Sequence, residues 1–267
     1  MAGTVKPPPC VLTIAGSDSG AGAGIQADAR TIQALGGHAV TAITAVTAQS
    51  GRGVRAWQAV APRLIAAQVT AVLEGFPVAA IKTGLLPGPA AIRAIAAVLR
   101  RHPRLPLVID PVMGSTSGTR FLSPAAWREL RRSLFPLAAL LTPNRPEAEA
   151  LAGRRLRTGA DVAAAARRLA AEAGCAVLIK GGHAPGRLCR DCLATPAGRV
   201  RWYQGPRVAT RNTHGTGCVL SAAIAAELAR GRRLEVAVGR ARAFLLGALR
   251  RNRRLRWGRG AGPVLGR

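Results

Sequence analysis

Apolar positions along the chain follow two alternating rhythms. Short β-type runs at Cys10 to Ala15, His38 to Thr47, Val78 to Lys82, Leu107 to Asp110, Ala138 to Leu141 and Ala176 to Lys180 predict strands. Stretches of helical period near Gly24 to Leu35, Pro62 to Glu74, Pro89 to Arg101, Ser123 to Ser133, Arg145 to Leu151 and Asp161 to Ala173 lie between them. Thr158-Gly159-Ala160-Asp161 reads as a capping box ahead of the last helix, and Gly174 as its stop. Strand then helix, repeated, predicts a mainly parallel sheet covered on both faces, a three-layer α/β/α fold. Cys192 to Thr195 and Val200 to Tyr203 flank Pro196-Ala197-Gly198 as a late hairpin. Helices over Thr216 to Arg230 and Leu234 to Arg251 end the pattern. No linker or repeat divides the 267 residues, so they read as a single domain, with residues 1–9 expected to be flexible and 252–267 a basic C-terminal segment.

In such a sheet, ligands collect beyond the carboxyl ends of the strands. Gly16-Ser17-Asp18, Gln49, Lys82-Thr83-Gly84, Asp110-Pro111-Val112-Met113-Gly114, Thr142-Pro143-Asn144 and Lys180-Gly181-Gly182 each follow a predicted strand. Asp18, Asp28, Asp110 and Glu147 fall in or just beyond these ends, and their convergence marks one candidate edge. The sharpest motif is Asn212-Thr213-His214-Gly215-Thr216-Gly217-Cys218, which runs straight into small apolar residues. Two glycines bracket Thr216 where a helix begins, so backbone N–H groups converge without Cβ interference and the helix dipole adds positive potential. This predicts an anion hole. Cys218, at that helix N-terminus, is expected to have a lowered thiol pKa and to be a candidate proton acceptor. The competing reading is a glycine-rich loop that only caps the helix.

Other glycine loops narrow the chemistry. Gly22-x-Gly24-x-x-Ala27 is a relaxed dinucleotide fingerprint, but the acidic residue expected about twenty positions later is missing. No glycine precedes a Lys-Ser or Lys-Thr pair in a Walker A frame. A nucleotide is therefore held in another way.

Composition alters this picture in three places. The formal charge of +27 invites a nucleic-acid partner, yet the arginines are dispersed, and only Arg250-Arg251-Asn252-Arg253-Arg254-Leu255-Arg256 is dense. No specific nucleic acid is expected. Arginine so dominates that only Lys6, Lys82 and Lys180 are lysines, and the last two stand where apolar runs meet glycine, places that suit a compact ammonium. The five cysteines, with a lone Cys189-x-x-Cys192, are expected to be free thiols. No run has the length of a membrane span and the start lacks an apolar signal core, so a cytoplasmic protein is expected.

Ala15-Gly16-Ser17-Asp18-Ser19-Gly20-Ala21-Gly22-Ala23-Gly24-Ile25-Gln26-Ala27-Asp28, Asp110-Pro111-Val112-Met113, Thr142-Pro143-Asn144-Arg145-Pro146-Glu147-Ala148, Lys180-Gly181-Gly182-His183 and the Cys218 heptad occur in this order. From about Val11 to Gly262 the chain resembles the hydroxymethylpyrimidine/phosphomethylpyrimidine kinases of thiamine biosynthesis. The resemblance implies a ribokinase-like fold and two ATP-dependent phosphorylations of 4-amino-5-hydroxymethyl-2-methylpyrimidine, first on the alcohol and then on the monophosphate. It further implies that Gln49 and Asp28 face the aminopyrimidine, with Gly16, Leu85 and Val112 lining the pocket. Lys180, Asn144 and Thr213 would contact ATP, Glu147 and Asp110 would serve Mg²⁺, and Gly215, Thr216, Gly217 and Cys218 would cradle the moving phosphoryl group. The family also implies a homodimer.

Leu85 stands where many relatives have Met, and Thr116 where Lys is frequent, which puts phosphate contact from that segment in question. Where many sugar kinases of this fold carry an aspartate, this chain has Cys218. A fixed carboxylate there would repel the monophosphate of the second reaction. A pyridoxal kinase of the same fold stays open, as does a basic nucleic-acid-binding protein on an inactive kinase scaffold.

Overall fold

Which strands lie deepest follows from how continuous their apolar runs are. In the computed structural model, which describes residues 7–114, 118–119, 121–182 and 186–265, the strands are β1 (Cys10–Asp18), β2 (His38–Ser50), β3 (Gly53–Ala59), β4 (Val78–Thr83), β5 (Leu107–Ile109), β6 (Leu140–Leu141), β7 (Ala176–Ile179), β8 (Leu188–Ala194) and β9 (Val200–Pro206). They form one sheet in the order β3-β2-β1-β4-β5-β6-β7-β8-β9. The run from β2 to β7 is parallel, while β3, β8 and β9 are antiparallel edges. The helices are α1 (Gly24–Ala34), α2 (Pro62–Gly75), α3 (Pro89–Leu99), α4 (Pro124–Ser133), α5 (Arg145–Ala152), α6 (Gly159–Ala173), α7 (Thr216–Ala229) and α8 (Leu234–Asn252).

Alternation along each strand feeds two cores. Leu12, Ile14, Leu107 and Ile109 pack with Ile65, Ile92, Ile95 and Leu130 of α2, α3 and α4. Val11 and Val108 point the other way, toward Ile32, Leu220, Ile224 and Val238 of α1, α7 and α8. The expected three layers result. α7 is apolar on every side because it is enclosed on every side: Val219 to Glu227 are all buried.

Two strand boundaries depart from expectation, and both shape the site. β1 continues past Ala15 through an irregularity, so that Ser17 and Asp18 pair with Val46 and Thr47. β2 continues to Ser50 and folds back as β3, an edge strand absent from the sequence reading. Five of its seven residues are exposed and none is buried, so it carries no inward apolar alternation to announce it. The five cysteines are free thiols; Cys189 and Cys192, three apart on β8, point to opposite faces. No helix among the described residues is long and apolar enough to cross a membrane.

The chain after α8 returns to brace the loop ahead of α7. His214 N–H donates to Gly262 O at 3.1 Å, and Val264 N–H donates to His214 O at 3.1 Å. Asn212, buried, donates from Nδ2 to Asn252 O at 2.6 Å and Leu255 O at 2.9 Å. Replacing Asn212 with alanine removes both bonds; Asn252 O keeps the Leu255 N–H at 3.1 Å, while the half-buried Leu255 O loses the Asn212 donor, a loss of about 2 kcal/mol in all. Urea unfolding of Asn212→Ala is expected to show a lower midpoint with an unchanged slope.

Candidate active site

The first turn of α7 has an open N-terminus. Its N-cap, Gly215, sits at φ 83° in the left-handed region and supplies no side-chain acceptor for the following N–H groups. Glycine is required twice over: a Cβ on Gly215 would lie 1.9 Å from Gly22 O. The crossing loop is equally constrained, since a Cβ on Gly22 would lie 2.1 Å from His214 Cδ2. Gly24, at φ 59°, would drive a Cβ to 2.2 Å from Gly16 O. The glycines that imitate a dinucleotide fingerprint therefore serve close contact between two loops.

Beneath this turn lie two buried ion pairs. Lys82 Nζ donates to Asp28 Oδ2 at 2.7 Å, with both side chains 0% exposed. Lys180 Nζ donates to Asp110 Oδ1 at 2.6 Å. Gly217 rests on the second pair, where a Cβ would stand 3.2 Å from Asp110 Oδ2 and 3.3 Å from Lys180 Nζ. Burial works against each ammonium, but the surrounding carboxylates outweigh it and raise both lysine pKa values, so both stay charged.

These contacts correct two expectations. Asp28, expected to face the substrate ring, instead receives Thr13 Oγ1–H and Lys82 in the closed interior beneath α1. There it is the partner of Lys82. Cys218 was expected to have a lowered pKa at its helix N-terminus; burial pushes the thiol up to about 11, and Asp28 and Asp110 add to this against the opposing pull of Lys82 and the Gly24 N–H. A protonated thiol is therefore the resting form, and Cys218 is not a ready base.

Asn144 and Glu147 meet beside Lys180 but also serve the backbone. They form the capping box of α5: Asn144 N–H donates to Glu147 Oε2 at 2.7 Å, and Glu147 N–H to Asn144 Oδ1 at 2.9 Å. Asn144 bridges to Lys180 across the sheet end. Burial raises the Glu147 carboxyl to about 7; Lys180 opposes this and Asp110 adds to it. Asp110 and Glu147 are thus neighbouring carboxylates in a desolvated setting. Thr213 lies exposed at the mouth of the cup.

On the other side of the cup, Leu85, Ala45 and Phe121 form a small apolar cluster joined by Val54 and Val112. Gly16 belongs to it, since a Cβ there would sit 3.6 Å from Leu85. Trp57 of β3 meets Phe121 edge-on at 5.9 Å. Ala45, Val54, Trp57 and Phe121 were not foreseen; Trp57 within Arg55-Ala56-Trp57-Gln58 was their one sequence signal. Gln49 pairs with Val54 at the rim and contacts His214 at 3.1 Å. His214 also went unforeseen as a separate site residue. Thr116 lies outside the described residues.

The sequence pattern of the phosphomethylpyrimidine kinase family matches residues 18–265. The hydroxymethylpyrimidine/phosphomethylpyrimidine kinase of Rhizobium meliloti is 46% identical over 254 residues, 95% of this chain and 95% of that protein. The thiamine biosynthesis bifunctional protein ThiED of Geobacter sulfurreducens is 44% identical over 254 residues, covering 95% of this chain and 51% of that protein. The chain thus spans about half the length of that bifunctional relative. The solved structure of pyridoxal kinase from Staphylococcus aureus in complex with AMP-PCP and pyridoxal superposes with a TM-score of 0.86 at 30% identity, covering 97% of this chain and 93% of that one.

The protonated state of Cys218 has a direct readout. Iodoacetamide modification of the Cys218 peptide, followed by mass spectrometry, is expected to accelerate continuously from pH 7 to pH 10 as the thiolate fraction grows. A rate that levels off near pH 7 would show a thiol already ionised.

Proposed function

The chain belongs to the phosphomethylpyrimidine kinase family, and on that premise we propose that it phosphorylates 4-amino-5-hydroxymethyl-2-methylpyrimidine on its alcohol and then on the resulting monophosphate, with ATP as donor. It is a kinase of thiamine biosynthesis. The observation that supports the two-step reading is the uncapped start of α7, whose first turn carries the neutral thiol of Cys218 and leaves the Leu85, Val112 and Phe121 cluster as a separate apolar wall.

Phosphoryl transfer asks little covalent work of the protein, so alignment and charge stabilisation carry the catalysis. The free N–H groups of the α7 first turn meet the equatorial oxygens of the migrating group. Lys180 presents a point charge from the ATP side, with Asn144 and Thr213 around the phosphates. Gly16, Leu85 and Val112 hold the flat ring, and the Gln49 amide reads its polar edge. The alcohol proton leaves late in a loose transition state, which removes the need for a strong base at Cys218. A neutral thiol also leaves room for an acceptor that is already phosphorylated. An aspartate there would set a third carboxylate beside Asp28 and Asp110 and repel that acceptor.

Glu147 and Asp110 fit Mg²⁺. Two neighbouring carboxylates, one held near pKa 7, form a donor set that a divalent cation relieves. Mg²⁺ needs only one or two protein carboxylates because it keeps several waters. When bound, it would neutralise charge on the phosphates.

Assays with ATP and Mg²⁺ on the aminopyrimidine alcohol, its monophosphate and pyridoxal test this reading. Turnover of the first two is expected, and turnover confined to pyridoxal would favour the alternative kinase. Cys218→Asp is expected to keep part of the alcohol step and to lose at least about tenfold more on the monophosphate step, the rate equivalent of about 1.4 kcal/mol of like-charge repulsion. Equal losses in both steps would contradict the role given to the thiol.

A further inference from the structure

His214 stands between the two halves of the site. Its Nε2 lies 2.8 Å from Asp18 Oδ2 and 3.1 Å from the Gln49 side-chain amide, and the next residue is the N-cap of α7. Asp18 cannot swing away, because its carboxylate also accepts N–H groups from Gly20 at 2.8 Å, Gly22 at 3.0 Å and Ala23 at 2.8 Å. Burial works against the charge, but the bonds from His214, Gly20 and Ala23 outweigh it and leave Asp18 with a lowered pKa. It is an anion at neutral pH and only accepts.

A permanent acceptor dictates the imidazole. With a carboxylate 2.8 Å away, Nε2 carries a hydrogen whether the ring is neutral or charged. An N–H cannot accept from the Gln49 amide N–H, so the amide settles with its carbonyl oxygen toward His214, where it shares the single Nε2 hydrogen with Asp18 Oδ2 in a three-centre bond, and with its nitrogen toward Thr47 Oγ1. The two ends of the amide occupy the same volume, so the turn leaves the 3.1 Å and 3.4 Å spacings to His214 and Thr47 in place. Thr47 Oγ1 donates to Ser17 O at 3.0 Å and is free to accept from that nitrogen. The amide then has one polarity. Its second lone pair and second N–H remain for a ligand.

We propose that His214, held in its Nε2–H form by Asp18, is a positioning residue that fixes the polarity of the Gln49 amide and so makes the pocket select a 4-amino over a 4-oxo pyrimidine. The inference rests on the aminopyrimidine reading above. With the hydroxymethyl group directed at the cup, the ring has one in-plane orientation. An exocyclic amine beside a ring nitrogen offers a donor and then an acceptor; a 4-oxo ring beside a ring N–H offers the reverse. A fixed amide matches one order and opposes the other, whereas an amide free to turn serves both.

The test compares kcat/KM for the 4-amino alcohol and its 4-oxo analogue in three proteins. Wild type is expected to prefer the amino ring. His214→Leu, with no donor, is expected to shrink that preference at least about tenfold, the size of one lost hydrogen-bond discrimination. His214→Gln, which returns an N–H near the Nε2 position, is expected to stay within about threefold of wild type. A preference unchanged in His214→Leu overturns the inference while leaving the substrate reading intact. A wild-type protein that turns over neither ring overturns both. Long-range ¹H–¹⁵N spectra of the wild-type imidazoles, with His214 assigned by its absence from His214→Gln, need no leucine variant. A protonated Nε2 supports the proposal, and a neutral Nδ1–H form overturns it.

Discussion

Lys82 and Lys180 carry charge into a region from which water is nearly excluded, and the start of α7 rests on them. Each is held by one aspartate, at 2.7 and 2.6 Å. Such pairs add little net stability over apolar residues, because desolvation offsets most of the attraction, but removing either partner is costly. Their effect is positional. Lys82 leaves so little room that a Cβ on Gly84 would approach its Nζ to 2.9 Å, and a Cβ on Gly217 would come within 3.2 and 3.3 Å of the Asp110–Lys180 pair. The backbone of the α7 first turn, which we propose grips the phosphoryl group, is thereby seated on rigid side chains from β4, from the ends of β5 and β7, and from α1.

The same charges set the protonation of the site. Asp28 and Asp110 compensate the two ammonium groups, so the attraction for an anion falls to the backbone N–H groups and the exposed edge of Lys180. Burial and their negative potential keep Cys218 a thiol, while burial and Asp110 alone of the two raise Glu147 to about 7. A cup with a neutral floor suits an enzyme whose second acceptor arrives with a phosphate. From the other direction, Asp18, His214 and Gln49 tie the end proposed to read the ring to the start of α7, through glycines that permit backbone contact. Binding and transfer therefore share one framework.

Much of this was legible in the chain. The strand and helix rhythm gave the layers because buried parallel strands and amphipathic helices differ in period, as Leu107 to Asp110 and Pro89 to Arg101 illustrate. The heptad ending in Cys218 marked the cup because only backbone geometry was needed. What escaped depends on distant neighbours. Helix-end logic alone lowers the Cys218 pKa, yet desolvation and two aspartates remote in sequence reverse it. Asp28 is one of several acids near strand ends, and only the position of Lys82 reveals that it is enclosed. β3 stayed hidden because a solvated edge strand lacks the alternation that identifies buried ones. A lone His214 carries no sequence sign of its bond to Asp18, 196 positions away.

The most direct test is a crystal structure with ADP, aluminium fluoride, Mg²⁺ and the aminopyrimidine alcohol, a mimic of the transferring phosphoryl group. The account predicts the fluoride cluster within hydrogen-bonding distance of the Gly217 and Cys218 N–H groups, with the ring between Leu85 and Val112. A cluster bound away from the α7 N-terminus, or a ring outside that apolar wall, would contradict it.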